Sequence, residues 1–461
     1  MSQRIKHVLT IFVLVVCMLV MCVLTGALRV GSGSSMPDLD PFKEYGYFVT
    51  GILYTLRLLT LIPLPLTVCN ILGIVCFNCY PSTPVLRTSL LFGPFVCFRV
   101  VTKGTYPELV KRNIQRNIDT CMKLGLTNFV FEVVTDSAIG VSKSAQVREL
   151  VVPDKYRTKN ETLYKARALQ YCLEEGVNIL SDNDWIIHLD EETLITESSL
   201  IGVINFINDG QYEFGQGVIT YANEEIVCWI TTLADSIRVG IDYGILRFTM
   251  NVLHRPVFSW KGSFIVANAG AERKITYDFG HEGSIAEDCF FALTAWKEGF
   301  KFGFVEGEMW EKSTFSVMDY IRQRKRWVQG ISKVILSKSI PFQYKGGINL
   351  MMIAWVVMPF TVPNIVLAPL FPLPLFGFIN TVISLMGGAM IFLFTFGALK
   401  SFSHRRHILF NFALCVMILC IMPVAMIMEA IGVVWAFMSS KNSGFHVVKK
   451  DVHETPLLSH V

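Results

Sequence analysis

Charge in this chain is confined to its middle. The 259 residues from Arg87 to Lys345 carry 30 Lys or Arg and 31 Asp or Glu, whereas the other 202 carry only 11 and 6. The flanks contain runs that no water-facing surface accommodates: 21 uncharged residues from Val8 to Leu28, and 54 from Gly346 to Leu399. About 20 apolar residues suffice to cross ~30 Å of hydrocarbon. The chain must therefore fold partly in lipid, around one water-soluble block of good domain size. With 17% charged and 52% hydrophobic residues, it is not an ordinary soluble enzyme, and it is too apolar to be disordered. A net charge of +4 is too small and diffuse to argue for nucleic acid. The expected organisation is a membrane region over 1–86, a catalytic-sized block over 87–345, a second membrane region over 346–438 and a polar tail over 439–461.

Five segments are candidates to cross. Val8–Leu28 is the first, and Leu58–Phe77, interrupted by Pro63 and Pro65, is the second. The prolines of Leu367–Gly377 divide the 54-residue run into a third and a fourth, and Ile408–Met438 is a fifth, weakened by Pro423 and Glu429. Basic residues collect on the cytosolic side. Arg4 and Lys6, then Lys333, Lys338 and Lys345, then Lys400, Arg405 and Arg406 share one side if the first four spans form two hairpins. The block then faces the cytosol, and the sequon Asn160-Glu161-Thr162 stays unmodified. An endoglycosidase-sensitive mass shift that disappears in Asn160→Gln would contradict this. Lys441, Lys449 and Lys450, after the fifth segment, fit the scheme badly and leave its topology open. Of twelve cysteines, seven belong to or border the flanks, and Cys97, Cys121, Cys172, Cys228 and Cys289 are scattered singly, the pattern of packed thiols in a reducing compartment. Cys76 and Cys79 form a lone C-x-x-C, for which packing is favoured over zinc.

Within the block, strand and helix signals alternate, which predicts an α/β domain with a mostly parallel sheet. Phe95–Thr102 reads as a strand, followed by a helix from Pro107 to Gly125 with Val110, Ile114, Ile118 and Cys121 on one face. Asn128–Thr135 is a buried strand ending at Asp136, and a helix over Glu161–Glu175 is expected to be capped by Asn160 and stopped by Gly176. Trp185–Leu189 is a short strand running into Asp190-Glu191-Glu192. Open α/β sheets bind ligands at the carboxyl ends of their strands, so two acid-tipped strands mark the expected site.

Asp190 and Glu192, two residues apart on a turn, suit one Mg²⁺ or Mn²⁺ shared with phosphate oxygens; from spacing alone, a solvated acidic turn is as good an account. Asp288 opens an apolar helical stretch, where acids are common for electrostatic reasons, or else serves as a general base. Gln323-Arg324-Lys325-Arg326-Trp327 lies in a basic amphipathic helix suited to a membrane interface, with Arg322, Arg326 and Lys333 opposite the apolar face. Arg324 falls inside the apolar stripe and requires a buried partner, a phosphate being one option. Lys165 and Arg167 are expected on a solvated helix face, though within reach of a nucleotide. His188 is expected to be structural, His281 is undecided, and His404 and His407 are expected at the surface.

Taken in order, Asp136-Ser137, Lys165-Ala166-Arg167-Ala168-Leu169, His188-Leu189-Asp190-Glu191-Glu192, Trp260-Lys261-Gly262-Ser263, Glu287-Asp288 and QRKRW resemble the family 2 glycosyltransferases of GT-A fold, across essentially the whole block. The resemblance implies a GT-A-type, Rossmann-like mixed sheet flanked by transmembrane helices and an interfacial helix. It implies Asp288 as catalytic base and Asp136, Lys165, Asp190, Gln323, Arg326 and Trp327 as contacts to a nucleotide sugar. Gly262, Ser263 and Trp327 fall to the acceptor, and Asp190 with Glu192 to a divalent cation, Mg²⁺ or Mn²⁺. Glu192 replaces the second Asp of the D-x-D pattern, and the acidic pair before the serine is reduced to Asp136. RVVTKGTYPELV, KARALQYCLEEGV and HLDEETLITE are similar to the animal egghead-type β-1,4-mannosyltransferases. That similarity implies GDP-mannose as donor, a lipid-linked sugar (glucosylceramide) as acceptor, glycosphingolipid biosynthesis, and an endoplasmic reticulum or Golgi membrane. Ceramide glucosyltransferases and processive polysaccharide synthases using UDP-sugars carry related motifs. A non-catalytic membrane scaffold is the alternative from another class.

Overall fold

The computed structural model describes residues 2–27, 39–81, 83–88, 90, 93–142, 144–258, 260–403, 407–439 and 450. Expectations placed on Arg405, Arg406, His404, Lys441 and Lys449 lie outside them. Helix α1 (Gln3–Leu24) is capped by Ser2, whose Oγ accepts from the Ile5 amide at 3.3 Å. The second apolar segment is longer than its uncharged run. Helix α2 (Pro41–Leu59) bends at Gly46, where φ is +75°, and passes through a turn into α3 (Leu64–Cys76). Arg57 had interrupted the run, but its guanidinium donates to the Phe371 carbonyl at 3.3 Å and so is tolerated there.

The block follows the alternation read from sequence. It runs β1 (Val96–Thr102), α4 (Pro107–Leu124), β2 (Phe129–Thr135), β3 (Val147–Val151), α5 (Tyr164–Tyr171), β4 (Trp185–Leu189), α6 (Glu197–Asp209), β5 (Phe214–Thr220) and α7 (Trp229–Ile241). After two π-helical turns come β6 (Ile265–Asn268), α8 (Ala269–Ile275), α9 (Glu287–Lys297), β7 (Phe302–Trp310) and α10 (Val317–Leu336). The sheet order is β3-β2-β1-β4-β6-β5-β7, with β6 antiparallel to both neighbours and the other pairs parallel. Every residue of β2 and β4 is buried, as expected for strands covered on both faces. Phe98, Phe131 and Ile187 belong to one apolar layer with Val110 and Ile114 of α4, whereas Cys97, Val130 and Ile186 belong to another with Leu169 and Phe291. Gly125 ends α4 with φ +88°, the left-handed turn for which it was chosen.

The second predicted helix is shorter than expected. Asn160 does not cap it: its backbone N–H donates to the Asp278 carboxylate at 2.9 Å and its side-chain N–H to the Asp278 carbonyl at 2.8 Å, and Thr162 Oγ1 donates to the carboxylate at 2.8 Å. These tertiary bonds hold the segment out of the helix, which starts at Tyr164. His188 is structural, its Nε2 lying 2.5 Å from Glu272, which also pairs with the buried Arg99 at 2.8 Å. His407 is exposed, and His281 sits on the surface 3.8 Å from Glu161.

After α10 the chain forms α11 (Phe342–Val356), α12 (Met358–Thr361) and α13 (Asn364–Leu370), bent by 49° before α13, then α14 (Gly377–Ser401) and α15 (Ile408–Met438). Among the described residues, four helical segments are long and apolar enough to cross a membrane, or five with the bent pair, which makes this a membrane protein. Helix α14 ties block to membrane. A Cβ on Gly397 would fall 1.8 Å from the Ser236 carbonyl, so only glycine lets α14 lie this close to α7.

Candidate active site

One edge of the sheet collects the acids. Parallel β2, β4 and β7 deliver Asp136, Asp190 and Glu311 just past their carboxyl ends; antiparallel β6 brings Gly262 and Ser263 to the same edge just before its start. A cavity of about 1430 Å³ opens there, lined by Asp136, Lys165, Asp190, Glu192, Gly262, Ser263, Asp288, Gln323, Arg326 and Trp327. The site residues expected from sequence are therefore gathered around one space.

Lys165 sits at its centre and not on a solvated face. Its Nζ lies 2.7 Å from Asp190 Oδ1, 3.1 Å from the Gly262 carbonyl and 3.9 Å from Glu287. Helix α5 points this face inward because Ala166, Ala168 and Leu169 pack the neighbouring sides. Burial opposes charge at Lys165, but Asp190 and Glu287 more than compensate and raise its pKa. Burial likewise penalises the Asp190 carboxylate, which the Lys165 ammonium nevertheless holds below its ordinary range. Arg167 is also occupied, 2.7 Å from Asp136.

Asp288 faces Lys165 across Gly262. A Cβ built on Gly262 would come within 3.2 Å of Asp288 Oδ2 and 3.3 Å of Lys165 Nζ, so the glycine keeps this passage open. The other Asp288 oxygen accepts from the Cys289 amide at 2.8 Å in the first turn of α9. Burial raises the Asp288 pKa, with the Cys289 N–H and Lys165 restraining the rise. Its neighbour Glu287 is pushed up to about 7 by burial and by the charge of Asp288.

Sequence reasoning missed Glu311. It accepts from Thr193 Oγ1 at 2.6 Å, and that hydroxyl lies 2.7 Å from Ser263 Oγ, linking three strand ends. Burial, then the charges of Asp190 and Glu192, push Glu311 up to about 7. The rule that flagged Asp190, an acid at the tip of a buried strand, applies equally to the segment FGFVEGEMW before Glu311. Lys450 was also unforeseen: its Nζ lies 2.6 Å from Glu191 and pairs with Glu192.

Arg324 is satisfied by protein partners instead of a phosphate. Its Nη2 and Nε donate at 2.6 Å each to Asp235 of α7 and Glu429 of α15. Trp327 lies beneath it, ring centroid 4.4 Å from the guanidinium, and faces the cavity together with Arg326.

Mg²⁺ and Mn²⁺ are commonly held by one or two carboxylates plus substrate phosphates. Asp190, Glu192 and Glu311 all line the cavity, and burial together with mutual repulsion raises the pKa of the last two. Among the described residues no group of three or more His, Cys, Asp or Glu side chains is arranged to hold a metal ion.

An acid-tipped mixed sheet with a basic, tryptophan-bearing helix under its open edge is the arrangement of a GT-A sugar transferase. The model for glycosyl transferase family group 2 matches residues 185–437, and the chain belongs to that family. It is 47% identical over 98% of its length, and 99% of the relative's, to the β-1,4-mannosyltransferase egh of Drosophila melanogaster. It is 45% identical, with the same coverages, to the β-1,4-mannosyltransferase bre-3 of Caenorhabditis elegans. The crystal structure of S. aureus TarS 1-349 superposes with a TM-score of 0.33 at 9% identity, over 68% of this chain and 93% of that one. The protein is a membrane-bound family 2 glycosyltransferase, and as such takes an activated sugar donor and a sugar-accepting substrate.

Proposed function

We propose that the protein transfers mannose from GDP-mannose to glucosylceramide, forming a β-1,4 linkage with inversion, on the cytosolic face of an endoplasmic reticulum or Golgi membrane. The observation that carries this is the mixed lining and size of the cavity. It is lined by Asp190, Lys165 and Asp288 and also by Met351, Trp355, Met390, Phe394 and Met426 from helices α11, α14 and α15. Pockets for one drug-sized ligand span roughly 300–1,000 Å³; about 1430 Å³ leaves room for a nucleotide sugar beside the head of a lipid. Flexible thioethers suit hydrocarbon chains.

Asp136 orients the nucleobase, and Asp190 with Glu192 would hold a divalent cation, which when bound neutralises the donor diphosphate. Arg326, with Gln323 beside it, adds positive charge where negative charge grows as the sugar C1–O bond to diphosphate breaks. Asp288 takes the proton of the acceptor hydroxyl as its oxygen attacks C1 from the opposite face, and nucleoside diphosphate leaves with the bond electrons. Gly262 and Ser263 with Trp327 position the acceptor between base and donor. The transition state is oxocarbenium-like, as in glycoside hydrolysis with another nucleophile. Membranes containing the protein, given glucosylceramide with GDP-mannose or with UDP-glucose, should form a mannosyl lipid in the first mixture alone. Sugar incorporation from UDP-glucose only would replace this reading with a glucosyltransferase or a polysaccharide synthase.

A further inference from the structure

The last apolar helix starts and finishes against the same domain. At its start, Lys400 pairs with Glu308 of β7 at 2.9 Å, Phe402 stacks on Trp229 of α7 at 5.7 Å, and Phe410 lies 5.8 Å from Phe402. The chain thus leaves α14 already touching the block. Towards its end, α15 runs beside α10. Glu429 meets Tyr320 at 2.8 Å and Arg324 at 2.6 Å, Lys325 lies 4.9 Å over the Trp435 ring, and Gln329 donates to the Ser439 carbonyl at 3.1 Å.

Helix α10 cannot carry that end into the bilayer, because the block holds it at both extremities. Just before its start, the Thr314 carbonyl accepts from Thr231 Oγ1 at 2.5 Å. Near its end, the Gly330 position abuts Ala286 and Ile285, and Val334 shares an apolar cluster with Phe290 and Leu293 of α9. A helix of 31 residues rises about 46 Å, more than the ~30 Å of hydrocarbon. Had α15 crossed, its ends would be separated by the whole membrane.

Its packing against α14 agrees. Helix α1 follows α14 along its length, from Thr25 and Ser384 hydroxyls 2.6 Å apart at one end to Lys6 and Lys400 sharing the Tyr80 ring at the other. The cluster that buries α15 draws from α14 only Met390, Phe394, Ala398, Leu399 and Phe402 among the described residues, the half nearest the block. On the other side of α15, Phe412, Val416, Leu419, Ile427, Ile431 and Val434 are exposed. At 100° per residue they fall within about a third of the circumference, a continuous apolar stripe.

We propose that α15 does not cross the membrane but lies along the leaflet next to the catalytic block, its exposed stripe sunk among lipid acyl chains and its other side roofed by α7, α10 and α14. Four crossings then remain: α1, α2 with α3, α11 to α13, and α14. The start of α1 and the end of α15 then lie on the block's side. The start of α1 is there already, His7 accepting from the Cys79 amide at 3.4 Å beyond the block end of α3. The same placement lets Lys450 reach Glu191, on the side where the described basic residues gather.

The test is an epitope fused to each end of the full chain, with antibody access and protease protection compared before and after organelle membranes are opened. Both epitopes should behave alike, accessible together or protected together. One accessible and the other protected means five crossings and overturns the proposal. The readout needs no activity, so a wrong donor or acceptor in the proposed function would leave it unaffected.

Discussion

Arg324 offers the most direct measurement of how block and membrane helices are joined. Its side chain is 1% exposed, between Asp235 at 2% and Glu429 at 17%. Replacement by Met keeps most of the volume but leaves two carboxylates facing a gap. Asp235 retains Ser313 and Arg238, the latter at 3.5 Å, whereas Glu429 keeps only the neutral donors Tyr320 and Trp355, the latter at 3.0 Å. Removing one partner of a buried pair costs about 3–5 kcal/mol, mostly from the charge left behind. At roughly 2–4 °C per kcal/mol for a unit of 150–250 residues, Arg324→Met should lower the Tm of detergent-purified protein by about 6–20 °C. If orphaned charge is the cause, Arg324→Met/Glu429→Gln should recover at least half of that loss, since Asp235 still has Arg238. An unchanged Tm in the single variant, or a double variant that falls further still, would refute the reasoning.

Asp288→Asn should leave donor binding intact and reduce transfer by about 10²-fold or more, measured as lipid product under saturating donor. In the wild type, transfer should rise with pH as Asp288 loses its proton, the midpoint lying above the ordinary carboxylate range because burial raises it; the variant should lack that limb. Asp190→Ala should abolish cation-dependent nucleotide binding in calorimetry, and retained binding would remove Asp190 from that role. Lys450→Ala takes an ammonium away from Glu191 and Glu192; it should lower the Mn²⁺ concentration giving half-maximal transfer, and an unchanged titration would show that the lysine does not compete there.

The local rules that worked were those with one physical cause. Pro107 and Gly125 bounded α4 because ring geometry and a positive φ leave few alternatives, and strand tips carrying acids marked the open edge of the sheet. What escaped depended on partners far away in sequence. Lys165 looked solvated because its four-residue neighbourhood does not reveal Asp190 or Gly262, and Asn160 looked like a cap because Asp278 is 118 residues away. Arg324 announced by its position that it needed a partner, but only the fold shows that one carboxylate comes from a soluble helix and the other from the last apolar one. Hydropathy found every apolar segment yet misplaced the second, because it reads charge and cannot see that Arg57 is satisfied by a carbonyl.

These contacts make the catalytic block and its membrane helices one structural unit. Helices α11, α14 and α15 contribute to the cavity lining, and the helix bearing Gln323, Arg326 and Trp327 is fixed on one side by α9 and on the other by Glu429. A block cut free at Arg87 and Lys345 would keep its sheet, whose core is made of its own strands and helices. It would lose Glu429 from Arg324, the close seat of α7 against α14, and the cavity-lining side chains Met351, Trp355, Met390, Phe394 and Met426. Such a fragment should therefore retain α/β secondary structure while failing to present Arg326 and Trp327 correctly, because the placement of α10 is determined as much by the membrane helices as by the sheet above it.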